Sequence, residues 1–209
     1  MHIRDQIKLL REFVKEHNLS VEAQASTLYS SCEDRGMQKG TDKTQFRELI
    51  VSDNLGHKVH DKISAGAESE QYGSDAFDEV SGRYAEYKSK ALLAKELRNF
   101  FQLPRGNGKF FAPLVVTGVY NGAYKQEAID KYSKIDHYFS IHYKERNLMV
   151  IKPRTELVIQ QLTENNANRK PGATTNCNNV SISLRETHLY QVAYECGISY
   201  NELRELHQL

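Results

Sequence analysis

The chain has little cysteine, and what it has is not spaced for a metal. Its 209 residues include three, Cys32, Cys177 and Cys196. An odd number of widely separated thiols without a C-x-x-C pair excludes a zinc site of that kind and predicts free thiols in a reducing compartment. Long apolar runs are missing too: none approaches the roughly 20 residues of a membrane helix. The first residues, M-H-I-R-D-Q-I-K, are charged and lack the apolar centre of a signal peptide. These absences predict a soluble, cytoplasmic protein with no membrane partner. An excess of one charge is also lacking. Lys and Arg total 28 against 27 acids, a net charge of +1. Such a balance neither demands nor excludes nucleic acid, because bases can line one cleft while acids hold metal. The eight histidines form no H-x-H or H-E-x-x-H. His137 and His142 lie at odd spacing on one predicted strand, hence on opposite faces, which argues against a His-bound metal.

What is present suits one α/β domain. Hydrophobic residues make up 39% and charged residues 26%, enough for a sizeable core. Apolar spacing predicts helices over 2–17 and 21–33, an N-terminal helical part covering 1–40. Asp42 with Gln45 is a capping-box pattern opening a helix over 43–54. Strands follow at 57–63, 73–78 and 83–89, then a helix at 91–101 and a β-branched strand at 113–120. The part 41–120 therefore reads helix, strand, strand, strand, helix, strand. Beyond it, 121–209 predicts a helix at 126–133, a hairpin of 136–143 with 148–152, and a helix at 156–163. An Asn/Thr-rich loop at 164–179, a strand at 180–184 and two helices at 186–195 and 199–207, broken at Gly197, complete it.

The stretch that carries chemistry is G-S-D-A-F-D-E-V-S-G-R-Y-A-E-Y-K-S-K, residues 73–90. Side chains alternate along a strand, so Glu86 and Lys88 share a face and Tyr87 points away. With Ser81-Gly82 as a two-residue turn, Phe77 pairs with Glu86 and Asp75 with Lys88. Asp75, Glu86 and Lys88 then converge on one face, and Asp78 falls on the other. A bulge or an odd-length turn would exchange the two aspartates, so Asp78 is the alternate acid. Two neighbouring carboxylates make a hard oxygen site for Mg²⁺, which shares its shell with phosphate. The metal polarises a phosphoryl oxygen and acidifies a bound water. A lysine beside it orients the water and offsets transition-state charge.

Asp75 on the second strand and Glu86-x-Lys88 on the third, within that element order, resemble the PD-(D/E)xK nuclease superfamily, whose largest group is the type II restriction endonucleases. The matching residues are Gly73-Ser74-Asp75-Ala76 and Glu86-Tyr87-Lys88-Ser89. Ser74 stands where the family usually has proline. The resemblance spans about 43–120. It implies a restriction-endonuclease-like core, a mixed central sheet flanked by helices. It also implies Asp75 and Glu86 as metal ligands, Lys88 as the water-positioning lysine, and Glu48 of the first core helix as a further catalytic acid. The expected activity is Mg²⁺-dependent, sequence-specific cleavage of double-stranded DNA by a homodimer, with 121–209 serving dimerisation and DNA reading. A repair or junction-resolving nuclease of the same fold is the alternative within the class.

Phosphate contacts are expected from Lys90, Arg105 and Lys109, and also from Lys95 and Arg98. Base reading is expected from the 164–179 loop. There Asn168, Arg169, Lys170, Thr174, Thr175 and Asn176, with Asn165, Asn166, Asn178 and Asn179, supply donors and acceptors that suit base edges. The tail 189–206 has a helix-turn-helix cadence, which offers a non-catalytic DNA-binding regulator as the reading from another class. Its second helix is acidic, with Glu202 and Glu205 beside Arg204, and that favours packing or a dimer contact.

Overall fold

The computed structural model describes residues 43–59, 74–103, 113–143, 146–173 and 177–207. The predicted N-terminal helices, Arg105 and Lys109, and Thr174, Thr175 and Asn176 lie outside them. In chain order the elements are α1 (Lys43–Leu55), β1 (Lys58–Val59), β2 (Ala76–Asp78), β3 (Arg83–Leu92), α2 (Ala94–Phe100) and β4 (Val115–Asn121). They continue with α3 (Gln126–Tyr132), β5 (Asp136–Tyr143), β6 (Arg146–Pro153), α4 (Thr155–Ala167), β7 (Cys177–Ser183), β8 (Tyr190–Glu195) and α5 (Tyr200–His207). No helix among the described residues is long and apolar enough to cross a membrane.

The architecture is α/β, with a mixed sheet flanked by helices. Five strands in the order β2-β3-β5-β6-β8 are extended at one edge by the two-residue β1. Neighbours run antiparallel except β3 and β5, which are parallel from Ala85↔Asp136 to Leu92↔Tyr143. A parallel pair needs a long crossover; here α2, β4 and α3 supply it. All eight residues of β5 are buried, as a central strand covered on both faces requires. On one face Val51 of α1 packs with Ala76, Ala85, Tyr87, Tyr138 and Val150. On the other, Phe139, Ile141, Leu148 and Ile151 meet Val158 and Leu162 of α4 and a second, two-stranded sheet, β4 with β7.

The expected order of helix, strand, strand, strand, helix, strand over 43–120 is present, but its last strand stands outside the main sheet. The run P-L-V-V-T-G-V-Y folds as β4, pairs among the described residues with β7 alone, and alternates buried Val116, Gly118 and Tyr120 with exposed Val115, Thr117 and Val119. β-Branching predicts a strand and does not choose its partner. The place beside β3 goes to D-H-Y-F-S-I-H-Y, which can be buried on both sides.

The helix expected at 186–195 is overturned. Residues 187–189 form one 3-10 turn, and Tyr190–Glu195 is an edge strand on β6. It pairs with Pro153, Ile151 and Val150 through a register shift between Val150 and Ile151, which puts Tyr190 against one core cluster and Tyr194 against the other, and these cross-strand partners select the strand over the helix. Gly197 and α5 follow as expected, but the helix-turn-helix lacks its first helix. The two DNA-reading boundaries also move. α4 runs on to Ala167 and β7 begins at Cys177, so the Asn-rich connection is shorter than 164–179.

Two buried imidazoles make stability acid-sensitive. Burial holds both His137 and His142 down to about 4, the Arg47 charge adding to the effect at His142. The unfolded chain binds these protons near pH 6.5, the folded chain only near 4, so stability is full above about pH 6.5 and falls as pH drops toward 4. Melting temperature is expected to fall steadily from pH 7 to pH 5. His142→Gln is expected to flatten that slope; a slope unchanged in the variant would remove His142 from the explanation.

Candidate active site

The hairpin is built by Asp78. Its Oδ1 accepts the Val80 N–H at 2.9 Å and its Oδ2 accepts the Ser81 hydroxyl at 2.5 Å. Gly82, at φ +69°, closes the turn, its N–H donating to the Asp78 carbonyl at 2.9 Å. The turn is therefore four residues, 79–82, and the register is Ala76↔Ala85, Phe77↔Tyr84, Asp78↔Arg83. The two-residue turn at Ser81-Gly82, with Phe77 opposite Glu86 and Asp75 opposite Lys88, is corrected by two residues. Because the pleat has period two, an even shift leaves every side chain on its expected face.

Asp78 accordingly falls on the α1 face. Its carboxylate lies 3.9 Å from His57 Nε2, while His57 Nδ1 bonds the Tyr87 hydroxyl at 2.8 Å. The Ser81 hydroxyl, chiefly, holds Asp78 below the usual carboxylate range. Burial lowers His57.

Asp75 lies just before β2. Its N–H donates to the Ala85 carbonyl at 2.9 Å and its Oδ2 accepts the Tyr87 N–H at 2.7 Å. These bonds hold the carboxylate alongside Glu86. Both acids are buried, Asp75 at 7% and Glu86 at 5% exposure, a burial that carboxylates tolerate only with compensating partners. Lys88 Nζ donates to Glu86 Oε1 and sits 4.8 Å above the centre of the Tyr120 ring. Asp75 and Glu86 both act on the two phenols of this face: burial first, then Glu86 and Asp75 among the nearby charges, push Tyr120 and Tyr132 well above their ordinary range. So Asp75, Glu86, Lys88, Tyr120 and Tyr132 form one group on the β4 side of the sheet.

His137 completes it. It pairs in register with Glu86 across β3 and β5. Its Nε2 lies 2.9 Å from the Tyr132 carbonyl, which can only accept, so Nε2 carries the proton. Burial keeps the ring neutral at pH 7, which leaves Nδ1 to accept the Tyr120 hydroxyl at 3.2 Å. Tyr120, Tyr132 and His137 carry no motif. The signal that bears on them is the buried parity of β4, which puts Gly118 and Tyr120 inward, and only tertiary contact reveals its use.

The remaining candidates are scattered. Glu48 is on α1, on the far side of the sheet, and its charge acts on Tyr87. Lys90 is paired with Glu96 at 2.9 Å. Asn168 and Lys170 are exposed at the end of α4, and the Arg169 guanidinium stacks 4.5 Å over the Tyr124 ring. Asn178, expected among the base-reading residues, is buried instead and fully engaged inside the fold. Its Nδ2 donates to the Leu162 and Ala123 carbonyls at 2.9 and 3.2 Å, and its Oδ1 accepts from Asn165 and the Asn179 N–H at 3.0 and 2.9 Å. Among the described residues no group of three or more His, Cys, Asp or Glu is gathered as a metal site. Cys177 and Cys196 are free thiols.

No protein-family model matches this chain, and no curated protein is detectably similar to it.

Proposed function

We propose that the protein is a Mg²⁺-dependent endodeoxyribonuclease of the PD-(D/E)xK kind, cutting double-stranded DNA at a specific sequence as a homodimer. The observation that carries this reading is the convergence of Asp75, Glu86 and Lys88 on one face of the β2–β3 hairpin, with Asp78 turned away. Supporting it are the antiparallel β1-β2-β3 meander and the parallel strand β5 beside β3, a mixed sheet of the sort the resemblance leads one to expect.

The donor set fits the metal. Asp75 and Glu86 offer hard carboxylate oxygens on one face of the hairpin, and two such ligands suffice for Mg²⁺, which fills its octahedron with water and phosphate oxygens. When bound there, Mg²⁺ would supply Lewis-acid activation of the scissile phosphate and of the attacking water. The chain's own part is to hold and orient. The Tyr87 N–H fixes one Asp75 oxygen, which aims the carboxylate. Lys88, held beside Glu86, offers its ammonium to the attacking water and to the charge developing on phosphorus. No Ser or Cys nucleophile is required.

Incubation of the full chain with plasmid and Mg²⁺ tests the reading. Discrete fragments that vanish with EDTA support it. Binding without cleavage, under Mg²⁺ and Mn²⁺ alike, sinks it.

A further inference from the structure

We infer that Gly118, Tyr120 and His137 form a seat that positions Lys88, a role resting on the nuclease reading above. None of the three touches substrate in this proposal; each acts through the lysine.

The seat is made by one face of β4 laid across β3. Gly118 provides the room. A Cβ built there would stand 2.7 Å from Lys88 Cγ, 3.0 Å from Lys88 Cβ and 2.7 Å from Phe139 Cε1, closer than such contacts occur. The lysine stem therefore runs through the space that a side chain would fill. Two residues on, with the same parity, the Tyr120 ring receives the ammonium at 4.8 Å. The ring is itself pinned. Its hydroxyl donates to His137 Nδ1 at 3.2 Å, and His137 is anchored in turn through Nε2 to the Tyr132 carbonyl at 2.9 Å. Tyr132 stacks edge-on against the same ring, with centroids 5.0 Å apart. Tyr120 and His137 are both wholly buried.

The chemistry explains why a lysine needs this. A flexible four-carbon stem has many rotamers, and a charged head would leave a half-buried site for water. A cation over an aromatic face keeps its charge without a second carboxylate, which would compete with Asp75 and Glu86 for the metal. Tyrosine in place of phenylalanine lets a neutral histidine lock the ring's position. The lysine is thereby held beside Glu86 before substrate arrives, so little ordering is left for the reaction.

Two readouts test this, one of them independent of cleavage. The Lys88 Hε resonances, assigned by their loss in Lys88→Arg, are expected upfield of the other lysines because they lie over the ring. Tyr120→Leu should return them to the ordinary position, and Tyr120→Phe should keep them. In single-turnover cleavage, Tyr120→Leu and Gly118→Ala are expected to be about 100-fold slower, the scale of a misplaced catalytic group. Tyr120→Phe, which loses one hydrogen bond, is expected to slow by less than about tenfold. DNA affinity, measured with Ca²⁺ in place of Mg²⁺, should stay within about twofold, since transition-state interactions alone are lost.

Ordinary Lys88 shifts in the wild type overturn the seat, whether or not Tyr120→Leu folds. So does a folded Tyr120→Leu that cleaves at the wild-type rate. Upfield Lys88 resonances that move with Tyr120→Leu, in a wild type that cuts no DNA, support the seat and reject the nuclease.

Discussion

Plasmid incubated with Glu86→Gln protein and Mg²⁺ is expected to stay supercoiled where the wild type leaves discrete fragments, a loss of about 10³-fold or more in rate. Glutamine keeps the shape of the side chain and its place on β3, so the hairpin survives while the charge is lost. Without that charge the site has one carboxylate for the cation, and Lys88 Nζ is left with a neutral amide oxygen in place of the carboxylate it now bonds. Lys88→Ala should fail by a similar factor for a different reason, because the ammonium that orients water is gone while both carboxylates remain. The companion variants decide the register. Asp75→Asn is expected to be as inactive as Glu86→Gln. Asp78→Asn should keep most of the activity, since Asp78 serves the turn and faces His57 across the other side of the sheet. An active Asp75→Asn beside a dead, folded Asp78→Asn would reverse the assignment of the first acid.

The second large effect is on stability. Asn178→Asp is expected to cost about 3 kcal/mol in chemical denaturation, because two buried carbonyls each lose their donor at about 1–3 kcal/mol apiece. Asn178 sits on the buried face of β7, where its amide NH₂ joins the Leu162 carbonyl of α4 to the Ala123 carbonyl after β4. A carboxylate there has nothing to donate and sets a negative charge against two carbonyl oxygens. For a chain of this length the loss should lower the melting temperature by roughly 6–12 °C. Asn168→Ala, at an exposed helix end, is expected to change stability by less than about 0.5 kcal/mol. Equal effects at the two positions would mean that Asn178 is not the junction described.

The same asparagine shows where local reading stops. Asn-rich segments are usually loops, and Asn165 through Asn179 looked like one block of donors for base edges. β-Pairing with β4 divides the block: Asn178 turns inward and Asn179 outward by strand parity. Nothing short of knowing that partner strand separates them. The tail is similar. Leu189 to Glu195 satisfies helical spacing and alternation about equally well, and the open edge of β6 decides for the strand. β4 was legible as a strand, but not as the cover that lies over Lys88 instead of joining the sheet.

The sequence by itself determined the hairpin and its face. Alternation put Glu86 with Lys88 and against Tyr87, and this survived a wrong turn length because the shift was even and the pleat repeats every two residues. It also determined the amphipathic helices α1, α3 and α4, whose periods are local. Only the tertiary structure decided which strand lies beside β3, which face Glu48 joins, and that Gly118, Tyr120 and His137 close around the lysine. Those choices depend on contacts between segments about 50 residues apart or more, such as Lys88 with Phe139 and Val51 with Val150. They are set by which surfaces can be buried together, a property of pairs of elements that no single stretch of chain encodes.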